Sequence, residues 1–131
     1  MSARPPLRHI LCADDDADMR MILEVALGTI GGWRVTLTGD GEETLAAARA
    51  DRPDLILLDA HMEGIDGPTT LGILRADPAF AGIPVVFVTG QAAPSDVAGL
   101  IATGAAGVIA KPFDPMGLAA RVRTLWDALP D

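Results

Sequence analysis

The sequence predicts an α/β fold in which a doubly wound parallel sheet of five strands carries helices on both faces. The first observation is an alternation, because short apolar runs of strand length are followed by segments of helical periodicity, five times along the chain. The second is size and composition. A chain of 131 residues that is 50% hydrophobic and 21% charged suits one folded domain and excludes an intrinsically disordered protein.

Five segments are predicted to be strands. Three of them, His9–Ala13, Leu55–Leu58 and Ile83–Val88, are continuous apolar runs, as expected for strands buried on both faces of a parallel sheet. Ala106–Ala110 is similar but contains a glycine. Trp33–Leu37 alternates apolar and polar residues, which is typical of a half-buried edge strand.

The segments between and after these strands have the features of helices. In the first, apolar residues from Met19 to Ile30 recur at spacings of three and four, which places them on one stripe, and a Gly-Gly pair is expected to end it. Asp16 and Asp40 precede helical patterns and are expected to cap them. The other helices are predicted at Gly41–Ala50, from Asp66-Gly67-Pro68 onward, from Pro94 to Gly104 and from Pro115 to about Ala128.

Charge and cysteine content disfavour several classes of function. Lys and Arg together number 10 against 18 Asp and Glu, and the net charge of −8 would be repelled by nucleic acid and by anionic membranes. A single cysteine allows no intramolecular disulfide. The uncharged stretch at residues 97–110 is too short to span a bilayer, and no signal peptide is recognisable. We expect a cytoplasmic protein without nucleic-acid or membrane partners.

Polar residues stand where the predicted strands end. Asp14 and Asp15 follow the first strand, Asp59 follows the third, Thr89 the fourth and Lys111 the fifth. In an open parallel sheet, ligands bind beyond the carboxyl ends of the strands. If the strand order is 2-1-3-4-5, three acids, one hydroxyl and one ammonium group meet in a single patch.

This combination of groups suits phosphoryl chemistry. Crowded carboxylates repel one another unless a cation joins them, and hard oxygen ligands favour Mg²⁺. An aspartate beside the metal can attack phosphorus and form an acyl phosphate, while a lysine and a hydroxyl hold the phosphoryl oxygens. Lys111 is the only lysine in a chain with nine arginines, and its compact ammonium can contact a single anionic oxygen.

Taken together, these residues resemble the receiver domain of two-component response regulators, over about Arg8 to Leu129. The resemblance implies a flavodoxin-like sheet of order 2-1-3-4-5 and a stand-alone regulator similar to the chemotaxis response regulator. It divides the chain into an N-terminal tail (1–7) and a receiver domain (8–129), with no output domain. The motifs that carry it are Asp14-Asp15, Asp59 in Leu-Leu-Asp-Ala-His-Met, Asp66-Gly67, Thr89 after Val-Val-Phe-Val, Gly104-Ala105 and Lys111-Pro112-Phe113.

The resemblance also implies a role for each site residue. Asp59 would accept the phosphoryl group from a histidine kinase or a phosphotransfer protein. Asp14, Asp15 and Asp59 would hold Mg²⁺, with the backbone carbonyl of His61 as a further ligand. The protein would catalyse only its own phosphorylation and dephosphorylation, and so would not be an enzyme in the usual sense.

Thr89 and Lys111 would bind the phosphoryl oxygens and act as the switch, and the Lys111–Pro112 peptide bond is expected to be cis. The output would be a contact with a downstream protein, through a surface from about Ser95 to Trp126, or transfer of the phosphoryl group to another protein.

The sequence departs from the family pattern at three positions. Glu63 stands where a proline is common, and Gly90 where alanine or serine is usual, which opens space beside the phosphoryl group. Val108 stands where the family has an aromatic residue that turns inward on activation, and this chain has no tyrosine.

Two other functions fit part of the pattern. The Val108 and Glu63 substitutions allow a degenerate receiver that acts as a phosphate-independent interaction module. A metal-dependent phosphatase with an aspartyl nucleophile would need a second acid two positions after Asp59, where this chain has His61.

Overall fold

The computed structural model describes residues 5–130, and within them five parallel strands form one sheet in the order β2-β1-β3-β4-β5. This confirms the predicted fold class and strand order. Parallel neighbours place the carboxyl ends of all strands at one edge of the sheet. The strands are β1 (His9–Ala13), β2 (Arg34–Thr38), β3 (Leu55–Asp59), β4 (Val85–Thr89) and β5 (Gly107–Ala110).

Five helices connect and follow the strands. Three of them begin with a side-chain cap, because Asp16, Asp40 and Asp66 accept hydrogen bonds from backbone N–H groups at the starts of their helices. The expected capping by Asp16 and Asp40 is thereby confirmed. The helices are α1 (Ala17–Leu23), α2 (Gly41–Ala50), α3 (Gly67–Ala76), α4 (Pro94–Ala102) and α5 (Leu118–Ala128).

Two apolar layers cover the two faces of the sheet. On one face, α1 and α5 pack on strand residues such as Cys12 and Leu57, and Val122 of α5 is fully buried there. On the other face, α2 and α3 pack on residues such as Leu58 and Phe87. Because successive strand side chains point to opposite faces, both faces need apolar residues, which explains the uninterrupted apolar runs.

The first helix differs from its prediction. After Leu23 the chain continues into a π-helical segment, Glu24–Ile30, whose wider turn changes the angle between successive side chains. The stripe was predicted from a constant α-helical period. Two members of the predicted apolar stripe, Ile22 in α1 and Ile30 in the π-helical segment, are exposed at 37% and 42%.

Some element boundaries also differ from the sequence prediction. Ile83 is buried but precedes β4, which begins after Pro84, a residue that has no N–H for the ladder. The last helix begins at Leu118 rather than at Pro115, because Asp114 forms a turn by accepting the N–H of Met116. Asp59 and Thr89 are the last residues of their strands instead of the first residues after them.

The described part of the predicted tail packs against the domain. Leu7 belongs to the core layer, and the indole N–H of Trp126 donates to the Pro5 carbonyl at 3.1 Å. Residues 1–4 of that predicted tail lie outside the described residues. Among residues 5–130, every helix is too short or too polar to cross a membrane.

Candidate functional site

The sheet register brings Asp14 and Asp59 side by side. Ala13 of β1 pairs with Leu58 of β3, and the next residue along the chain is an acid in both cases, Asp14 just after β1 and Asp59 at the end of β3. Both carboxylates are buried, while Asp15 is exposed at the rim. Carboxylate oxygens of all three residues lie within 4.8 Å of one another. Geometry alone therefore produces a cluster of three negative groups, which we call the acid cluster.

Lys111 reaches the acid cluster from the end of β5. Its Nζ donates to Asp14 Oδ2 at 2.9 Å and to Asp59 Oδ2 at 3.2 Å. The Lys111 N–H donates to the Thr89 carbonyl at 2.8 Å, which extends the ladder by one residue, and the Lys111–Pro112 bond is cis as predicted. The single lysine of the chain thus places its positive charge between two buried carboxylates.

Backbone donors orient the two buried carboxylates. Asp59 Oδ1 accepts the N–H of His61 at 3.0 Å, and Asp14 Oδ1 accepts the N–H of Asp16 at 2.9 Å. Each carboxylate is therefore held through one oxygen by the loop that follows its own strand and through the other oxygen by Lys111. Such two-sided hydrogen bonding restricts rotation of the side chains and preorganises the cluster.

The electrostatics of the site raise the pKa of both Asp59 and Lys111. Burial raises the pKa of the Asp59 carboxyl, and the nearby Asp14 charge adds to this, against the opposing effects of the His61 N–H and Lys111. Burial alone lowers the pKa of Lys111, but the hydrogen bond to Asp14 and the charges of both acids outweigh it. Lys111 is therefore held in its charged form beside carboxylates that repel one another.

The acid cluster has the chemistry of a magnesium site. It offers oxygen atoms from three carboxylates, two buried and one at the solvent boundary, and Mg²⁺ binds to one or two carboxylates while keeping several waters. The buried Asp14 and Asp59 share the ammonium group of Lys111. With Asp15, the cluster therefore has three carboxylates for one ammonium group. A divalent cation would offset the remaining repulsion.

Thr89 is buried at the end of β4, and its hydroxyl is engaged within its own loop. The Oγ1 atom accepts the N–H of Gln91 at 3.0 Å and lies 3.4 Å from the Gln91 carbonyl oxygen, to which it donates. A hollow of about 340 Å³ opens beside this contact, lined by residues of the β4–α4 loop, of α4 and of the loop after β3, including His61 and Leu100.

The three atypical positions have different surroundings. Val108 of β5 is half-buried and packs against the same core layer as Leu100 of α4. A Cβ atom added at Gly90 would meet nothing within 4 Å, so the position is open. Glu63 is exposed and lines a second hollow of about 390 Å³ together with Asp15, Asp40 and Glu42.

Two residues that the sequence analysis did not single out contact site residues. Gln91 bonds to Thr89 through its backbone, and Arg20 of α1 donates from Nη1 to the Asp14 carbonyl oxygen at 2.8 Å. The sequence feature that could have indicated Arg20 is its position in α1, the helix that follows Asp14 and Asp15. The sequence-predicted residues Asp14, Asp15, Asp59 and Lys111 come together, whereas the Thr89 hydroxyl is bonded to its own loop.

Comparison with known proteins identifies relatives of this chain. The family model described as "Response regulator receiver domain" matches residues 10–123. The DNA-binding response regulator MtrA of Mycobacterium tuberculosis is 40% identical over 116 residues, which cover 88% of this chain and 49% of MtrA. The response regulator PleD of Caulobacter vibrioides is 41% identical over 126 residues, or 95% of this chain and 26% of PleD. The chain thus spans about half the length of MtrA and about a quarter of PleD.

Solved structures are similar over nearly the whole chain. The chemotaxis response regulator CheY4 of Vibrio cholerae superposes with a TM-score of 0.84 at 27% identity, covering 92% of this chain and 99% of CheY4. The signal receiver domain of a signal transduction histidine kinase from Syntrophus aciditrophicus gives a TM-score of 0.81 at 29% identity, covering 93% and 92%.

Proposed function

Because the chain belongs to the response regulator receiver domain family of two-component systems, we propose that Asp59 accepts a phosphoryl group in a Mg²⁺-dependent reaction. Receiver domains are phosphoacceptors rather than classical enzymes, and they interact with histidine kinases or phosphotransfer proteins. The donor here is a sensor histidine kinase or a phosphotransfer protein. The observation that carries the proposal is the convergence of Asp59 with Asp14, Asp15 and Lys111 at the strand ends.

The transfer exchanges one phosphorus bond for another. A carboxylate oxygen of Asp59 forms a bond to phosphorus while the bond from phosphorus to the donor's histidine nitrogen breaks. The electron pair returns to that nitrogen, which takes up a proton. The backbone N–H of His61 holds the Asp59 carboxylate in place during the attack.

Asp14, Asp15 and Asp59 are the side chains that would hold Mg²⁺, with the His61 carbonyl as a further ligand. The ion would supply positive charge to the phosphoryl oxygens and relieve repulsion between the carboxylates and the incoming group. Lys111 stabilises the charge that develops on a phosphoryl oxygen, since its ammonium already lies 3.2 Å from Asp59.

Thr89 reports the phosphorylated state to the loop that follows β4. Its hydroxyl turns from Gln91 to a phosphoryl oxygen, which releases the Gln91 N–H and frees the loop. The helix beyond that loop, α4, contains no fully buried residue, so its position is weakly held. Without an aromatic ring at Val108, the signal passes through the backbone of this loop and α4. The surface from Ser95 to Trp126 then contacts a downstream protein, or the phosphoryl group passes to another protein.

The test is phosphoryl uptake measured by intact mass. The protein is incubated with a small phosphodonor with and without Mg²⁺, beside Asp59→Asn and the control Asp127→Asn, which changes an exposed acid on α5. We expect a Mg²⁺-dependent gain of one phosphoryl group in wild type and in the control, and none in Asp59→Asn. Uptake by Asp59→Asn equal to wild type would remove Asp59 as the acceptor.

The second candidate function is a degenerate receiver that binds partners without phosphate, and Val108 and Glu63 favour it. Beryllofluoride, which mimics the phosphoryl group, separates the two candidates. If neither a phosphodonor nor beryllofluoride changes the NMR signals of Thr89 and Lys111, the phosphate-independent module is the better description.

A further inference from the structure

Arg20 connects two loops at the edge of the acid cluster. Its Nη1 atom donates to the Asp14 carbonyl oxygen at 2.8 Å, so the guanidinium is bonded to the backbone of a buried acid. On its other side, the same Nη1 atom lies 3.3 Å from the position that a Cβ of Gly39 would occupy. A Cβ atom at position 39 would therefore press on the guanidinium, which would have to shift by a few tenths of an ångström.

The backbone around Asp14 is held from two sides. Its N–H donates to the Thr38 carbonyl at 3.1 Å, and its carbonyl accepts from Arg20. Asp14 is the first residue after β1, where the sheet ladder no longer constrains the chain fully. The contact with Arg20 restrains the peptide group that joins Asp14 to Asp15.

We propose that Arg20 is a positioning residue for the Mg²⁺ site, acting through the backbone of Asp14. The inference rests on the proposed function, because it assigns Mg²⁺ to the acid cluster. Groups that hold metal ligands from outside the coordination sphere commonly change metal affinity by about tenfold or more when they are removed. Arg20 holds the backbone of Asp14, a proposed metal ligand, in this way, and no atom of Arg20 itself would bind Mg²⁺.

The sign of the effect separates positioning from simple charge. Arg20 carries a positive charge near a site for a cation, so loss of that charge alone would strengthen Mg²⁺ binding. Loss of the hydrogen bond to the Asp14 carbonyl oxygen would weaken Mg²⁺ binding. Arg20→Met removes both the charge and the donor while keeping a good helix former, and Arg20→Lys keeps the charge and one flexible donor.

Calorimetric titration with Mg²⁺ tests the proposal on the whole chain. We expect Arg20→Met to weaken Mg²⁺ binding by about tenfold and Arg20→Lys to recover part of the loss. Arg49→Met, which removes an exposed arginine at the end of α2, is the matched control and is expected to bind as wild type does. Thermal unfolding of each variant shows that the fold is kept.

Gly39→Ala provides a second route that leaves Arg20 in the sequence. The added Cβ would lie 3.2 Å from a Glu43 carboxylate oxygen and 3.3 Å from Arg20 Nη1, so both side chains would have to shift by a few tenths of an ångström. We expect Gly39→Ala to weaken Mg²⁺ binding when it is introduced into the wild-type chain. When it is introduced together with Arg20→Met, we expect little effect beyond that of Arg20→Met alone. This non-additivity identifies Arg20 as the shared cause. If Arg20→Met is unstable, Arg20→Lys takes its place in the cycle, and Gly39→Ala is expected to weaken Mg²⁺ binding less in that variant than in the wild-type chain.

The outcomes separate this inference from the proposed function. If wild type binds Mg²⁺ and Asp15→Asn abolishes the binding, the acid cluster is the metal site whatever Arg20 does. Unchanged or tighter binding in Arg20→Met, or additive effects of Gly39→Ala and Arg20→Met, would then overturn the positioning role alone. Wild type that does not bind Mg²⁺ would overturn both proposals.

Discussion

The Nζ atom of Lys111 donates a hydrogen bond of 2.9 Å to Oδ2 of Asp14, a residue 97 positions earlier in the chain. Asp14 ends up almost wholly buried, and a buried carboxylate without a partner is costly. The lysine also contacts Asp59, so its charge is shared between the two acids before any phosphoryl group arrives. The proposed phosphorylation of Asp59 would present a stronger anion to an ammonium group that is already in place.

Replacement of this ammonium is predicted to separate Mg²⁺ binding from signalling. We expect Lys111→Met to lower the free energy of unfolding by about 1–3 kcal/mol near neutral pH, because it leaves two buried carboxylates without their shared partner. Mg²⁺ binding is expected to stay largely intact and to restore part of the stability. Beryllofluoride is expected to leave the NMR signal of Gln91 unchanged. Urea unfolding with and without Mg²⁺, followed by NMR, measures these effects. A wild-type response to beryllofluoride would show that Lys111 is not part of the switch.

Loss of the Thr89 hydroxyl is predicted to disconnect the loop from Asp59. Thr89→Val keeps the shape of the side chain but removes the hydrogen bond with Gln91, at a stability cost of about 1 kcal/mol. We expect phosphoryl uptake to continue and the Gln91 amide signal to stay still when beryllofluoride is added. Thr124→Val, which removes a hydroxyl bonded to the Ala120 carbonyl on α5, is the control and keeps the wild-type shift. A Gln91 signal that moves in Thr89→Val would contradict the proposed transmission.

Two glycines of α3 are predicted to respond in opposite directions to alanine. A Cβ at Gly67 would lie 2.5 Å from the Asp59 carbonyl oxygen, so Gly67→Ala should lower the free energy of unfolding by about 1–3 kcal/mol and slow phosphoryl uptake. A Cβ at Gly72 would meet nothing within 4 Å, and Gly72→Ala should stabilise the helix by about 0.5–1 kcal/mol. Chemical denaturation of Gly67→Ala and Gly72→Ala measures the change in the free energy of unfolding of each variant. Equal effects would mean that the approach of α3 to the Asp59 loop is not tight.

The cap of α3 is predicted to depend on pH. Asp66 accepts the Thr69 N–H at 2.8 Å, and this bond lowers the pKa of the Asp66 carboxyl. A lowered pKa in the folded state means that the carboxylate stabilises the fold above its unfolded pKa of about 3.9 and loses that contribution as the pH falls through the folded pKa.

Urea unfolding between pH 3 and pH 7 of wild type, Asp66→Asn and Asp66→Ala tests the cap. Asn caps helices as well as Asp but does not titrate, so we expect wild type to lose stability relative to Asp66→Asn below about pH 4. Asp66→Ala should be less stable than wild type by about 1 kcal/mol near neutral pH. A constant difference between wild type and Asp66→Asn across this range would contradict the ionic cap.

Much of the fold could be predicted from the order of residues. Runs such as Leu55–Leu58 have to be buried on both faces, and this requirement leaves few structures other than a parallel sheet covered by helices. Parallel strands align their carboxyl ends, so the positions of Asp14, Asp59 and Lys111 after predicted strands predicted that they meet, once the family resemblance supplied the strand order 2-1-3-4-5. The boundaries of β4 and α5 were predicted less accurately. Pro84 delays the start of β4 to Val85, and the turn at Asp114 delays the start of α5 to Leu118.

The π-helical segment after Leu23 could not be predicted, because its apolar spacings also fit an ordinary α-helix. The contacts of Arg20 with Asp14 and of Gln91 with Thr89 depend on where a long side chain and a loop lie in space. Residue type and spacing could predict which charged and polar groups gather at one edge of the sheet. Only the tertiary structure decided which oxygen atom accepts a hydrogen bond from each donor. Hydrogen bonds depend on donor–acceptor distances to within tenths of an ångström and on angles, and a linear pattern of residues encodes neither.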